Sequence, residues 1–217
     1  MKLISVKLAR EVWLFPLRDL NPQGKYLMPL LAKLIQRYRF ANIPNIPDAI
    51  KANQGLLLGA GAFTDKKYGE VSVDLAIHAD GVVGDTRANT EATDAFLGDV
   101  LKWVVEEEGL RPPKDMKKQY LSEVYIESER PISALNPRLN KVAKLLSSKV
   151  SGFDPTTFDV AGIIFGSTTG AYEKPLPFRI EREINVPYTQ NRYYSAAQLA
   201  TNDHLEVIKL LIESLKA

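Results

Sequence analysis

Glu11-Val12-Trp13-Leu14 recurs as Glu123-Val124-Tyr125-Ile126, and much of the chain follows the same rule. Leu20-Asn21-Pro22 returns as Leu135-Asn136-Pro137, and Ala32-Lys33-Leu34-Ile35 as Ala143-Lys144-Leu145-Leu146. Gly55-Leu56-Leu57-Leu58-Gly59 returns as Gly162-Ile163-Ile164-Phe165-Gly166. Near the end of each half, Ala92-Thr93 before Leu97, Val100 and Val104 matches Ala200-Thr201 before Leu205, Ile208 and Ile212. Five short matches in one order, separated by roughly 107 to 115 positions, mark an internal duplication. Two similar units about a pseudo-twofold axis are expected.

Each copy reads as β-α-β-β-β-α, with mainly antiparallel sheets and helices packed on one face, an α+β fold. The first strand, about residues 3 to 15, alternates Ile4, Val6 and Leu8, then Val12 and Leu14, and its counterpart is about 119 to 127. In the second copy Asn136 is the expected N-cap, with Pro137 at the first helical position and Leu139, Val142, Leu146 and Val150 as the buried stripe. The first copy reaches its helix later, with Leu27, Leu30, Leu31, Leu34 and Tyr38 as its apolar face, so extra residues are inserted there. The Gly-bounded apolar runs 55 to 63 and 157 to 167 predict central strands, apolar on both faces. Val71, Val73, Leu75 and Ile77 alternate into Asp80-Gly81, a hairpin signal. In the second copy Phe178, Ile180 and Ile184 take the inward positions, with a longer turn at about 186 to 191. Amphipathic helices over 91 to 108 and 202 to 216 close the copies. The expected organisation is a first repeat over 1–109, a Pro- and Lys-containing linker over 110–118, and a second repeat over 119–217.

Composition narrows the function classes. With 45% hydrophobic and 25% charged residues, 217 positions can bury a sizeable core. Residues 1 to 109 carry 13 basic and 14 acidic groups, net −1, and the remainder 15 and 12, net +3. A total of +2 provides no strongly basic nucleic-acid surface. The absence of cysteine excludes disulfides, thiol catalysis and Cys-ligated metals and fits a reducing compartment. Met1-Lys2-Leu3-Ile4-Ser5-Val6-Lys7 lacks the apolar core of a signal peptide, and no apolar run approaches a membrane span. A cytoplasmic location with no membrane partner is expected.

Local motifs for chemistry are sparse. Gly59-Ala60-Gly61 follows a strand but lacks the third glycine and the helix of a dinucleotide loop. Gly166-Ser167-Thr168-Thr169-Gly170 lacks the lysine and helix of a phosphate loop. Both glycines are expected to permit sharp strand ends. His78 and His204 do not correspond between the copies, and each is expected to be solvated or hydrogen-bonded. Asp74, Asp80 and Asp85 read as the solvated face of a hairpin, so neither metal nor cofactor is expected.

Divergence between copies is more informative, because shared apolar positions are explained by packing. The unshared polar cluster is Arg179, Arg182, Arg192, Tyr193 and Tyr194, with Tyr188 in the turn between. Arg182 lies on the alternation face of Ile180 and Ile184, aligned with Leu75 of the first copy, where an unpaired guanidinium is costly. Glu181 and Glu183 project to the opposite face, so Arg182 is expected either to be structural, at an edge or holding a carboxylate or backbone carbonyls inside the molecule, the first copy included, or to face a bound anion. In the first copy the matching region contains Arg87 and precedes a helix N-terminus that can receive an anion or be capped by Asn89, Thr90 or Thr93. Arg179, Arg182, Arg192, Tyr193, Tyr194 and Arg87 are therefore the ligand-binding candidates, and no catalytic residue is assigned.

In element order the layout resembles three kinds of duplicated fold. These are the tandem effector-binding domains of bacterial regulators, the vicinal oxygen chelate family and the TATA-binding-protein-like saddle. The chelate resemblance implies a His- and Glu-ligated metal, whose strand ligands this chain does not supply. The saddle resemblance implies a basic concave sheet over nucleic acid. The leading expectation is a non-catalytic binding or interaction module, with a small ligand or protein partner at a groove or surface shared by the repeats. The alternatives are an enzyme without a local motif and a nucleic-acid-binding saddle; a homo-oligomer is compatible with all three.

Overall fold

The computed structural model describes residues 1–45, 55–150, 157–168 and 174–215. The first copy contains β1 (Lys2–Leu14), a 3-10 turn (Leu17–Asp19), α1 (Met28–Arg37), β2 (Leu56–Asp65), β3 (Gly69–His78), β4 (Gly81–Thr86) and α2 (Thr90–Glu106). The second contains β5 (Lys117–Glu127), a 3-10 turn (Ile132–Leu135), α3 (Leu139–Lys149), β6 (Gly162–Phe165), β7 (Phe178–Arg182), a 3-10 turn (Tyr188–Gln190), β8 (Arg192–Ala197) and α4 (Thr201–Glu213). Strand order is β2-β3-β4-β1 in the first copy and β6-β7-β8-β5 in the second, the same order for corresponding strands. All five strand pairs with a described register are antiparallel. The fold is α+β and internally duplicated.

Contacts divide the chain into two compact units. The first comprises Leu8–Ser122 and Leu199–Thr201, the second Met1–Lys7, Glu123–Gln198 and Asn202–Ala217. In the first unit, Trp13, Phe15, Leu58, Val73, Leu75, Phe96 and Leu97 form a core between sheet and helices, and Tyr38 meets Phe96 edge-on. Leu110 and Met116, between α2 and β5, pack against it. In the second unit the core is Val124, Ile126, Ile132, Ile180, Tyr193, Ile208 and Ile212.

The equivalences between copies differ in phase from those the sequence suggests. Thr90 and Thr201, the first residues of their helices, each donate a backbone N–H to the other's Oγ1, at 3.0 and 2.8 Å. Their separation of 111 pairs Thr93 with His204, Leu97 with Ile208 and Val104 with Leu215, all buried. The expected match of Leu97 to Leu205 is thus three residues off. Three residues are nearly one helical turn, so the apolar stripe looks alike in either phase. In the strands a slip of one has a larger consequence. Ala9, Glu11 and Trp13 are buried in β1, and Ser122, Val124 and Ile126 in β5. The matched text sets Glu11 on Glu123, which is on the opposite face, because side-chain direction has period two. On register, Leu75 faces Gly84 and Ile180 faces Ser195, so Leu75 corresponds to Ile180. Arg182 then takes the place of Ile77, not of Leu75.

Other expectations are also corrected. β2 and β6 stand at the ends of their strand orders rather than centrally, and Leu57 and Ile164 are 59% and 69% exposed. Their inward neighbours are Leu58 and Ile163. Gly59 marks not a strand end but a register shift inside β2, where Ala60 has φ 52° and its N–H is held by Asp74 Oδ1 at 2.7 Å. Gly166 follows β6, while Thr169 and Gly170 lie outside the described residues, as does Lys216. In the β3–β4 hairpin Ala79 and Asp80 turn and Gly81 opens the return strand, where a Cβ would lie 2.2 Å from the Trp13 carbonyl oxygen. Ile184 lies beyond β7 and is exposed. Asn136 does not cap α3: it sits in a tight turn in which Arg138 N–H donates to Asn136 Oδ1 and Leu139 N–H to the Asn136 carbonyl. Leu139, Val142, Leu146 and Val150 are exposed, and Ala143 is the buried residue of that helix. Leu34 and Tyr38 are buried as expected, whereas Leu27 is exposed. Val100 is only partly buried.

Asn89 is the N-cap of α2, its Oδ1 accepting the Ala92 N–H at 2.8 Å. Asn89→Ala is expected to lower stability by about 1 kcal/mol in urea denaturation.

Candidate functional site

The candidate arginines and tyrosines fall into separate groups, Arg179 with Tyr194 and Arg182 with Tyr193. Arg179 stacks on Tyr194, its guanidinium carbon 5.3 Å from the ring centroid, and lies 4.0 Å from Glu181. Tyr194 also meets Tyr125, and Lys7 lies 4.8 Å from its centroid and 3.1 Å from Glu123. Burial raises the Tyr194 phenol above its ordinary pKa. Tyr193 is fully buried on the other face, where its hydroxyl accepts the Ile132 N–H at 3.0 Å. Arg192 pairs with Glu183 at 3.0 Å, and Arg87 is exposed before α2.

Arg182 finds its partners inside its own unit, not in the other copy. Nη1 donates to the Tyr188 carbonyl at 2.7 Å and Nη2 to Asn191 Oδ1 at 3.3 Å. The guanidinium also lies between the rings of Tyr188 and Tyr193, at 4.5 and 4.8 Å. It fastens the β7–β8 connection, in which Asn191 has φ 47°. Arg182→Met is expected to cost about 1–2 kcal/mol in urea denaturation, from the lost stacking and hydrogen bonds.

Two buried titratable groups stand apart from that cluster. Glu11, 1% exposed, accepts the Trp13 indole N–H at 2.7 Å, near Asp94 and Lys118. Lys118 pairs with Asp94 and lies 4.4 Å from the Trp13 ring centroid. Burial, aided by the Asp94 charge, lifts the Glu11 carboxyl to about 7 against the opposing pull of Trp13 and Lys118. In the second unit, burial lowers His204 to about 4. His204 Nε2 is 2.9 Å from Ser195 Oγ, which donates to the Arg179 carbonyl at 2.8 Å, so the imidazole N–H is assigned to Nε2.

A concave site lies in the first unit. A cavity of about 1050 Å³ opens between α1, α2 and the sheet. Trp13, Leu31, Leu56, Leu75, Ile77 and Leu101 are among its apolar walls, and Asn21, Lys25, Tyr26, His78 and Asp80 supply its polar side chains. The inserted segment builds one side. α1 begins six residues after Pro22, whereas α3 begins two residues after Pro137, so the first copy has four more residues there. These are held in place: Asn21 Nδ2 donates to the Lys25 carbonyl at 2.8 Å, and Asn21 Oδ1 accepts the Lys25 N–H at 2.9 Å. Lys25 Nζ donates to the Gly109 carbonyl at 2.9 Å, tying the segment beyond α2. Reading charge clusters missed this cavity, although the insertion in one copy was its signal.

Among the described residues no group of three metal-ligating side chains converges, and no helix is long and apolar enough to cross a membrane. Fold and cavity together define an internally duplicated α+β module with a lipophilic pocket in one unit. No family model and no curated protein matches this chain. Among solved structures, it is similar to the TBP of Methanococcus jannaschii at 14% identity, over 99% of this chain and 97% of that one, with a TM-score of 0.45.

Proposed function

We propose that this chain is a non-catalytic module that binds a small lipophilic molecule in the cavity of its first unit. The observation that carries the proposal is a large concave space, walled by leucine and aromatic side chains, with a few polar groups on its lining. On this reading the ligand lies within one repeat, beside the segment inserted in the first copy. A thermal-shift screen of apolar metabolites tests it. A ligand at about one hundred times its Kd stabilises the fold by about 2.7 kcal/mol, which for a chain of this length raises Tm by about 5–10 °C. A screen with no shift, repeated at saturating ligand solubility, would overturn the proposal.

One observation favours a second reading, recognition of single-stranded nucleic acid by the sheet of the second unit. Tyr125 and Tyr194 adjoin one another with Lys7 and Arg179 alongside, the combination that stacks and neutralises such chains. Against it, Tyr194 is buried, Lys7 already pairs with Glu123 and Arg179 with Glu181. A nucleic-acid interface predicts affinity that falls steeply with salt, and the cavity reading predicts affinity nearly independent of it.

A further inference from the structure

We infer that the cavity selects uncharged lipophiles carrying at most a hydroxyl or carbonyl end; this rests on the small-ligand reading above. The lining has one cationic and one anionic side chain, Lys25 and Asp80, and so offers no net charge to a ligand head. Lys25 is partly committed: its ammonium donates to the Gly109 carbonyl at 2.9 Å and approaches that of Glu108 at 3.5 Å. The Asn21 amide is likewise spent on the backbone of Lys25. A carboxylate or ammonium entering between leucines would lose its hydration and meet a lining on which the charges of Lys25 and Asp80 cancel, a penalty a hydroxyl largely avoids. Tyr26, 78% exposed, and His78 remain to meet a neutral polar end. The cavity volume of about 1050 Å³ suits a long-chain or polycyclic molecule.

The test uses the full chain and N-phenylnaphthylamine, a neutral dye that brightens in apolar sites, with Trp13 in the wall as energy donor. Dodecanol and dodecanoate are titrated as competitors at pH 8. Dodecanol is expected to displace the dye at about tenfold lower concentration than dodecanoate. Leu56→Arg, which puts a guanidinium into the wall, should weaken dye binding by about tenfold or more, with melting and circular dichroism confirming the fold. Leu27→Lys, at an already exposed position, gives the lining a net positive charge and should bring dodecanoate level with dodecanol. Equal displacement by both competitors in the unmodified chain would overturn the inference while leaving the small-ligand reading intact. Failure of the dye and both competitors to bind would overturn both. Displacement by an amphipathic peptide alone would reassign the cavity to a partner helix and also overturn the inference.

Discussion

Truncating Ile208 to alanine is expected to lower stability by about 3–5 kcal/mol, whereas Ile164→Ala should change it by less than about 0.5 kcal/mol. Both residues are isoleucines of the second unit, and both sit in strongly apolar stretches. Ile208 is fully buried in the core with Val124, Ile180 and Tyr193, so alanine removes three carbons and leaves a cavity among rigid neighbours. Ile164 is 69% exposed on β6, where its side chain gives little to packing. Urea denaturation of the two variants measures the contrast directly. A comparable loss for both would mean that the outer face of β6 is covered in solution.

The duplication and the element order were legible because hydrophobic period survives divergence. The antiparallel pairs, the β3–β4 hairpin and both closing helices follow from alternation and turn chemistry. Phase was less legible. Text matches at separations of 108 and 112 looked as good as 111, and only the reciprocal Thr90–Thr201 hydrogen bonds and strand burial choose between them. Edge position was not legible either, because Gly162-Ile163-Ile164-Phe165 is apolar on both faces whether or not a second layer covers it. The stripe of α3 makes the same point, since amphipathicity reports a face without supplying its partner. At the site, charge singled out Arg182, yet its partners are a carbonyl, an asparagine and two rings only six to eleven residues away. The cavity depended instead on an apparently featureless insertion and on leucines whose inward direction is ordinary.

Glu11→Gln is expected to stabilise the protein by about 2–3 kcal/mol at pH 8, roughly 5–10 °C in Tm, and to have little effect at pH 4.5. The sign follows from the direction of the shift. Burial raises the folded-state carboxyl from its ordinary 4.5 to about 7, so between these values the folded chain holds a proton that the unfolded chain has released. Stability attributable to this group is therefore greatest below pH 4.5 and falls as pH rises to about 7, where the buried carboxylate ionises. Glutamine stays neutral throughout, and its side-chain oxygen can still accept the Trp13 indole N–H. His204 acts in the opposite sense. Its folded value of about 4 lies below the ordinary 6.5, so its contribution is complete above pH 6.5 and lost as pH falls through 4. That loss is common to parent and variant, so it cancels when their melting temperatures are subtracted at each pH. The difference curve should rise from near zero at pH 4.5 to a plateau above pH 7. A flat curve would show that Lys118 holds Glu11 ionised at ordinary carboxylate pH, with the ion pairing offsetting the cost of burial.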